Sequence, residues 1–369
     1  MEPAGSSPTN PGGVRGARGR GAGLNPLSRF DRVSLSIEGE ALDAIAEESP
    51  DGVRLATELI EDDTRTVLNH YDTPDMGEGW TVNPYRGCEH GCIYCYARPG
   101  HEYLGLSCGI DFETKIHVKR EAPRLLRKAL LRPDWCGAPI IMSGVTDPYQ
   151  PIERELRITR GCLEVMLELG QPVSIITKNK LILRDLDLLA AMASRRKAQA
   201  NISVTSLDNE LAHKMEPRAS SPRDRLETIR RLSEAGVPTR VMVAPVIPAI
   251  NDREVPAILE AAADAGAIGA GTVLLRLPYQ LKELFLEWLE RHFPNRAAHV
   301  ESLIRQSRGG KLYDARPGVR GRGEGPFADQ LRQNFHVFVR RYGLDREFPG
   351  LAPMKPSDAP GGQFSLFDR

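Results

Sequence analysis

The chain alternates between short apolar runs and longer segments whose apolar residues recur at helical spacing. This alternation starts near residue 78. Continuous apolar runs bounded by polar or glycine-containing positions are typical of buried strands. The predicted strands lie at 79–83, 139–143, 172–177, 201–205, 239–244 and 272–277. The predicted helices lie at 121–131, 153–168, 183–194, 222–235, 254–265 and in a last segment that ends near 290.

Six strand–helix units in succession predict an α/β fold. Strands that read as continuous apolar runs belong to a parallel sheet covered by helices. The closest regular architecture is a partial (β/α)6 TIM-like barrel, with six units instead of eight. In such barrels chemistry lies at the carboxyl ends of the strands, so residues that directly follow a strand are the candidates for a site.

The segments outside the barrel differ in composition. Residues 1–30 are rich in Gly, Pro and Arg and are predicted to be a disordered tail, because they cannot build a core. Residues 31–77 are expected to form an N-terminal extension, followed by the core at 78–305. A basic extension is expected at 306–347 and a flexible tail at 348–369.

Composition narrows the class of protein. The 369 residues carry 49 basic and 49 acidic side chains, so the total charge indicates no polyanionic partner. Six cysteines in a chain of this length do not resemble a secreted disulfide framework. No apolar run reaches the roughly 18 residues of a membrane span, and no signal peptide is visible. We therefore expect a cytoplasmic protein without membrane contact.

The loop after the first predicted strand is the most specific chemical feature. It places Cys88, Cys92 and Cys95 in a C-x3-C-x2-C pattern, and thiols this close can converge on one metal centre. Three thiols are fewer than the ligands of a structural zinc site or of a fully ligated four-iron cluster. Either another ligand, such as His90, completes the set, or one position stays open for substrate. Buried structural thiols are the third interpretation.

With Tyr94 directly before the third cysteine, this motif resembles the signature of radical S-adenosylmethionine (radical SAM) enzymes. The resemblance implies that Cys88, Cys92 and Cys95 bind three irons of a [4Fe–4S] cluster, and that S-adenosylmethionine chelates the fourth. It implies reductive cleavage of this cofactor to a 5′-deoxyadenosyl radical, with an electron from an unidentified donor. The family has partial (β/α)6 barrels, in agreement with the periodicity. Tyr94 is expected near the adenine; alternatively, it packs under the loop.

Polar residues follow the other predicted strands. By the same resemblance, Ser143 and Gly144 after the second strand hold the amino group of the cofactor's methionine. Lys178 follows the third strand, where its charge could pair with the cofactor carboxylate. Ser203 in the fourth strand could hydrogen-bond the ribose or the carboxylate.

Further positions at the strand ends leave alternatives open. Asp147 and Glu153 either join the site or cap the following helix. Residues 244–252 after the fifth strand are apolar enough to pack against adenine, and Arg276 or Tyr279 after the sixth could face the substrate.

Four strings resemble the spore photoproduct lyase-like branch of the superfamily, whose members are often labelled DNA repair photolyases. They are Asn-Pro-Tyr-Arg-Gly-Cys, Thr-Asp-Pro-Tyr-Gln-Pro, Thr-Lys and Pro-Val-Ile-Pro. In that branch, spore photoproduct lyase reverses a methylene-linked thymine dimer and uses a cysteine near the second strand as hydrogen-atom donor. The matching stretch here, 143–147, has no cysteine, which separates the two reactions. Cys136 precedes that strand, and Cys108 and Cys162 are expected to be structural.

Two basic segments point towards a nucleic-acid substrate, because either could follow a phosphate backbone. They contain Lys115, Lys119, Arg120, Arg124, Arg127, Lys128 and Arg132, and Arg305, Arg308, Lys311, Arg316, Arg320 and Arg322. A solvated helix face and a flexible linker are the respective alternatives.

The last residues resemble the peptide by which bacterial repair and replication proteins dock on the DNA sliding clamp. Gln363, Leu366 and Phe367 match that peptide, and Phe364 replaces its usual leucine. Apolar residues at the end of a tail are unexpected unless something binds them. Alternatively, the tail folds back onto the core.

Together these features predict a radical SAM enzyme, lyase-like and of unknown exact reaction, that acts on damaged or modified nucleic acid. One alternative keeps the chemistry but assigns it to a protein or small-molecule substrate. Another is a non-catalytic zinc-binding nucleic-acid adaptor, against which the six strand–helix units argue.

Overall fold

The computed structural model describes residues 17–30, 53–54, 56–142 and 144–354. Its strands, in chain order β1 to β12, are Ala17–Arg18, Val53–Arg54, Glu58–Glu61, Leu68–Thr73, Gly77–Val82, Tyr85–Arg86, Lys115–Val118, Ile140–Met142, Val173–Thr177, Ala198–Ser203, Thr239–Val246 and Gly269–Leu274. Its α-helices, α1 to α12, are Ile110–Thr114, Ala122–Leu130, Glu153–Leu156, Ile158–Leu169, Leu186–Ala193, Asn209–Met215, Pro222–Glu234, Val255–Asp264, Leu281–His292, Ala297–Gln306, Val319–Arg322 and Pro326–Arg341. Short 3-10 helices span Arg98–Leu104, Lys180–Asp185 and Asp252–Glu254.

A seven-stranded sheet forms the centre, in the order β12-β11-β10-β9-β8-β5-β4. The strands from β5 to β12 in this sheet are parallel to their neighbours, and β4 pairs antiparallel with β5 at the edge. Successive parallel strands are neighbours, with helices in the connections, so their carboxyl ends meet at one mouth. The predicted α/β class and partial (β/α)6 barrel are confirmed.

The core lies between this sheet and the helices around it. Helices α4, α7 and α8 bury their apolar faces against it, for example through Met166, Leu232 and Leu259, which are fully buried. Full burial of each such side chain contributes roughly 1.5–3 kcal/mol. The Ser221 hydroxyl accepts the N–H of Asp224 at 3.2 Å and caps α7.

Some element boundaries differ from the prediction. Strand β12 begins at Gly269, three positions before the predicted start at 272. Small residues permit this, because a Cβ on Gly271 would lie 2.7 Å from the Met242 sulfur on the neighbouring strand. The helix predicted over 153–168 is two helices, α3 and α4, which meet at Arg157 with φ 54°.

The predicted disordered tail over 1–30 is wrong for residues 17–30. We name residues 19–30 the strap. Its Gly21 and Ala22 donate their backbone N–H groups to the buried Glu113 carboxylate at 2.9 and 2.8 Å, and Ala22 is fully buried. Glycine permits this packing, because a Cβ on Gly21 would lie 1.9 Å from the Gly91 carbonyl oxygen.

The predicted flexible tail over 348–369 is wrong for residues 348–354. Ala352 donates its N–H to the Arg196 carbonyl and Met354 donates to the Gly137 carbonyl, both at 2.9 Å. The remainder, 355–369, lies outside the described residues and contains the clamp-like positions Gln363, Leu366 and Phe367.

No helix in the described part of the chain combines the length and apolarity that crossing a membrane requires.

Candidate active site and cofactor-binding site

The cysteine loop, residues 87–97, lies at the mouth of the barrel after β5 and β6. The backbone N–H of Cys88 donates to the Phe112 carbonyl at 2.9 Å, and that of Ile93 donates to the Met215 carbonyl at 3.1 Å. Gly87 and Gly91 have φ values of 79° and 68°, which permit sharp turns on either side of Cys88. Backbone contacts on both sides therefore fix the loop.

The three thiols of this loop are free and desolvated. Cys88 and Cys92 are each 7% exposed, and Cys95 is half-buried. Burial raises the pKa of the Cys92 thiol well above its usual value. Burial, and then the charge of Cys88, raise the pKa of Cys95. Soft thiolates are the ligands that iron–sulfur clusters require, so this donor set fits such a cluster.

A mononuclear zinc site fits less well. Among the described residues, no three His, Cys, Asp or Glu side chains surround one point as ligands of a single ion. Tetrahedral zinc with Zn–S bonds of about 2.3 Å would hold its sulfurs about 3.8 Å apart, whereas a cluster takes each cysteine on a different iron.

His90 does not act as a further ligand. Its Nδ1 lies 3.4 Å from an Asp147 carboxylate oxygen, and its Nε2 lies 3.1 Å from the Asn179 amide nitrogen. Burial lowers the pKa of His90, but Asp147 and Cys88 raise it to about 10. Because Asp147 and the Asn179 amide engage both ring nitrogens, neither nitrogen is available to a metal, and the structure does not support His90 as a zinc ligand.

Lys178 is the cation beside the thiols. Its charge lowers the pKa of both Cys92 and Cys95, against the larger effect of burial. Its Nζ lies 5.8 Å from the centroid of the Tyr94 ring. The predicted residues Lys178 and Tyr94 are therefore brought together next to the thiols of the cysteine loop.

Tyr94 also belongs to a buried polar network. Its hydroxyl donates to Glu216, whose carboxylate pairs with Arg225 and accepts the Thr205 hydroxyl at 2.9 Å. Burial raises the pKa of Glu216, and Arg225 opposes that shift. Arg225 also donates to the Ser203 carbonyl at 3.1 Å, so the network joins the cysteine loop to the end of β10.

The stretch after β8 contacts the cysteine loop. Ser143 lies outside the described residues. Gly144 has φ 140°, which L side chains rarely adopt, and a Cβ there would lie 3.7 Å from Asn83 Oδ1. Thr146 donates its hydroxyl to the Gly87 carbonyl at 2.6 Å. Gly144 therefore lies close to the start of the cysteine loop.

Asp147 and Glu153 are anchors of the scaffold. Asp147 accepts the Thr177 hydroxyl at 2.7 Å and the Lys178 N–H at 2.9 Å, besides its contact with His90. Glu153 is fully buried, accepts the Thr159 N–H at 3.0 Å near the start of α4, and pairs with Arg184 at 2.7 Å. Glu153 therefore caps α4, whereas Asp147 does not cap the following helix α3 and instead joins the end of β9 to His90 of the cysteine loop.

Apolar residues after β11 line the same region as Tyr94. Ile247 is fully buried in one cluster with Tyr94 and Cys92, and Ala249 and Ile250 pack against that cluster. This placement is compatible with the expected apolar contact to adenine.

Arg276, Tyr279 and Tyr96 mark the other side of the mouth. The Arg276 guanidinium carbon lies 5.3 Å from the centroid of the Tyr96 ring, and Tyr96 directly follows Cys95. Tyr279 is 58% exposed with φ 52°, and the Arg29 guanidinium of the strap lies 3.8 Å from its ring. The sequence missed Tyr96, although its position directly after Cys95 of the motif was a usable signal.

Most of the two basic segments is already neutralised. In the first segment the ion pairs are Lys115–Asp111, Arg120–Glu61, Arg124–Glu121, Arg127–Glu168 and Arg132–Asp134. In the second they are Arg305–Glu301, Arg316–Asp314, Arg316–Glu324 and Arg320–Asp75. Five of the seven basic side chains in the first segment and three of the six in the second are thus paired with a carboxylate.

The other cysteines lie outside the stretch 143–147, where a hydrogen-atom donor is expected. Cys108 and Cys162 are fully buried. Burial, and then Glu102, raise the pKa of Cys108 to about 12. Burial, and then Glu153, raise the pKa of Cys162. Cys136 is exposed and precedes β8.

The sequence also missed the strap and its anchor. Glu113 pairs with Arg98, and both are fully buried behind the cysteine loop. Arg98 in turn donates to the Cys92 carbonyl at 2.9 Å. The closely spaced glycines of the strap were the available signal, but glycine-rich composition equally indicates disorder.

Three comparisons with known proteins bear on this site. The family model of the radical SAM superfamily matches residues 82–262. An uncharacterized protein of Mycobacterium tuberculosis is 37% identical over 229 residues, which cover 62% of this chain and 67% of that protein. A radical SAM Nalpha-GlyT isomerase of Pseudomonas phage M6 is 25% identical over 241 residues, 64% of this chain and 48% of that protein.

Solved structures support the same assignment at the level of the fold. A spore photoproduct lyase variant with bound AdoMet and dinucleoside spore photoproduct matches with a TM-score of 0.53 and 16% identity, over 86% of each chain. The family implies S-adenosylmethionine and an iron–sulfur cluster as cofactors. The chain belongs to the radical SAM superfamily and is a radical SAM enzyme.

Proposed function

We propose that the enzyme binds one [4Fe–4S] cluster through Cys88, Cys92 and Cys95 and leaves one iron for S-adenosylmethionine. The observation that carries this proposal is the set of three free, desolvated thiols on one loop beside Lys178. Once bound, the cluster supplies the electron for reductive cleavage of S-adenosylmethionine to a 5′-deoxyadenosyl radical. The protein that delivers this electron is an unidentified partner.

Residues around the loop would hold the cofactor. Lys178 would pair with the methionine carboxylate, since its charge acts on both Cys92 and Cys95. Gly144, with Ser143, would place main-chain and hydroxyl groups towards the methionine amino group. Tyr94 would contact the adenine with its ring while Glu216 fixes its hydroxyl. Ser203, at the end of β10, would face the ribose or carboxylate.

The substrate we propose is damaged or modified nucleic acid. Support comes from the shared fold with a spore photoproduct lyase that holds a dinucleoside photoproduct, and from likeness to the phage isomerase. Without a cysteine in 143–147, the enzyme would not return a hydrogen atom as spore photoproduct lyase does. We therefore propose a lyase-like or isomerase-like rearrangement in place of that reaction.

One observation favours a second candidate. The basic segments are mostly engaged in ion pairs, so recognition of a long phosphate backbone by them is disfavoured. A small-molecule or protein substrate for the same radical chemistry remains the alternative. The zinc-binding adaptor is not retained, because the family consists of enzymes.

Two further proposals concern the cellular setting. All six cysteines are free thiols, and this suits a reducing compartment such as the cytoplasm.

We propose docking on the DNA sliding clamp through Gln363, Leu366 and Phe367. A clamp pull-down with the full chain and with a chain lacking 363–369 tests it. Binding that survives the truncation would reject the peptide as the dock.

The central test is anaerobic reconstitution followed by iron, sulfide and zinc analysis. We expect about four irons per chain, and release of 5′-deoxyadenosine when S-adenosylmethionine and dithionite are added. Cys92→Ala should lose the iron, whereas the exposed Cys136→Ala should keep it. Lys178→Met should weaken S-adenosylmethionine binding, and Lys128→Met should not. Tightly bound zinc without cofactor cleavage would refute the proposal.

A further inference from the structure

Arg276 stands at the barrel mouth without a counter-ion. It follows β12 directly, after Leu275 donates its N–H to the Val246 carbonyl at 2.9 Å. The side chain is half-buried, and its Nε is a buried donor without a hydrogen-bond partner. Among the described residues, no carboxylate forms an ion pair with it. A desolvated guanidinium in this state is unfavourable unless an incoming group accepts its hydrogen bonds.

The charges around Arg276 leave it as the available cation. Asp75 lies close enough to feel the charge of Arg276, but Arg320 and the Gly318 N–H already engage that carboxylate. Arg308, the other nearby guanidinium, is buried and donates to the main-chain carbonyls of Leu275 and Val319.

The remaining carboxylates of that segment are also occupied. Asp314 pairs with Arg316 at 2.7 Å, and Glu324 pairs with the same guanidinium at 2.8 Å. Among the described residues, these carboxylates therefore leave the charge of Arg276 without an ion pair.

An exposed aromatic ring lies beside this charge. Tyr96 is 52% exposed, and the Arg276 guanidinium carbon lies 5.3 Å from its ring centroid. The ring fixes the position of the guanidinium without neutralising it. Tyr96 belongs to the cysteine loop and directly follows Cys95, whereas Lys178 contacts Tyr94 of the same loop and acts on Cys92. Arg276 and Lys178 are thus two separate cations beside this loop.

We infer that Arg276 binds a phosphate of the nucleic-acid substrate and that the exposed Tyr96 ring stacks on a base beside it. This inference rests on the proposed function and names its anchoring residues. The planar fork of arginine matches phosphate oxygens, and aromatic rings stack on unpaired bases without regard to sequence. Binding of a single nucleotide unit at the mouth does not require the two basic segments to follow a phosphate backbone. It therefore agrees with the ion pairs that these segments form.

The test uses the reconstituted holoenzyme and a fluorescein-labelled oligothymidylate, with affinity measured by anisotropy from about 50 to about 200 mM salt. Arg276→Gln should weaken binding about tenfold or more, since it removes a charge-assisted contact. The slope of log affinity against log salt should become shallower by about 0.7, the value for one single-strand phosphate contact. Arg276→Lys should keep the slope but lose affinity, because it keeps the charge without the fork.

Controls separate this role from others. Arg316→Gln, an arginine already paired in the neighbouring segment, should leave the slope unchanged. S-adenosylmethionine affinity, measured by equilibrium dialysis, should be the same for Arg276→Gln and wild type. An unchanged salt slope in Arg276→Gln would overturn the inference, as would a loss confined to S-adenosylmethionine binding.

Failure of the wider proposal has a separate signature. If the wild-type enzyme releases 5′-deoxyadenosine but does not bind oligothymidylate, the nucleic-acid substrate is wrong and the phosphate contact falls with it. If the wild type binds oligothymidylate and the Arg276 variants bind it with the same affinity and salt slope, the nucleic-acid substrate class stands. Arg276 is then not the residue that binds the phosphate.

Discussion

At the scale of single residues, Tyr94 has a role that its place in a motif does not reveal. Its ring lies near Lys178, while its hydroxyl satisfies the buried Glu216 carboxylate. Tyr94→Phe keeps the ring and removes this donor, so we expect a loss of about 2 kcal/mol in the free energy of unfolding. Urea unfolding of the apoprotein measures it. Tyr103→Phe, at a residue 74% exposed, is the control, and equal stability of the two variants would contradict the network.

Gly21 occupies a position at which a side chain would collide with the cysteine loop. A Cβ there would lie 1.9 Å from the Gly91 carbonyl oxygen, so Gly21→Ala must displace either the strap or the cysteine loop. We expect lower iron retention after anaerobic gel filtration and a stability loss of about 1–3 kcal/mol from overpacking. Gly100→Ala is the matched control, because nothing lies within 4 Å of the added Cβ. Iron content equal in both variants would show that the strap does not support the loop.

At the scale of elements, Asp147 joins the end of β9 to the cysteine loop through Lys178 and His90. Although burial raises the pKa of Asp147, His90 and its hydrogen bonds lower it to about 2. A depressed folded-state pKa stabilises the fold above the unfolded value near 3.8, and this stabilisation disappears as the pH falls through about 2.

Asp147→Asn should therefore change the acid limb of the stability profile. The stability difference between wild type and variant should be constant above about pH 4.5 and shrink by about 2 kcal/mol towards about pH 2. Urea unfolding of the apoprotein between these limits measures it, in a range where His90 is protonated in both folded and unfolded chains. A difference that does not vary with pH would show that Asp147 is not a charged anchor.

Elements differed in how well the sequence predicted them, for a physical reason. Apolar runs such as Val173–Thr177 are buried on one face and half-buried on the other, so composition alone identifies them. Strand β12 starts with Gly-Ala-Gly, a sequence that does not predict a strand. Its placement depends on Arg240 and Met242 of the neighbouring strand β11. The strap resembles a disordered tail because its order depends on Glu113, 92 residues from Gly21.

At the scale of the whole molecule, the site also combines local features that the sequence predicts with long-range contacts that it does not predict. The ligand spacing of Cys88, Cys92 and Cys95 is local, so the sequence contains it in full. The contacts of Tyr94 with Glu216 and of His90 with Asp147 join positions on different strand–helix units. Their partners follow only from the barrel that brings the strand ends together, and therefore sequence reasoning left Asp147 and His90 open.

The strap covers the side of the molecule that contains the cysteine loop. It extends from Gly21, packed on the cysteine loop, to Leu27, whose carbonyl accepts the Gln280 amide at 2.6 Å. Arg29 then pairs with Glu102 at 2.6 Å. The barrel core forms a separate apolar cluster that contains no strap residue, so the barrel should fold without the strap.

Deletion of residues 2–30 should therefore keep the circular dichroism of the barrel but expose the thiols. We expect the apoprotein's Cys92 to react with iodoacetamide at least about tenfold faster than in the full chain, because access controls thiol reactivity. Peptide mass spectrometry after timed quenching measures each cysteine separately. Deletion of 2–16 alone, which leaves the strap, should keep the slow rate, and Cys162 in the barrel core is the internal reference. If Cys92 reacts with iodoacetamide at the same rate in both deletion variants, the strap does not shield the thiols of the cysteine loop.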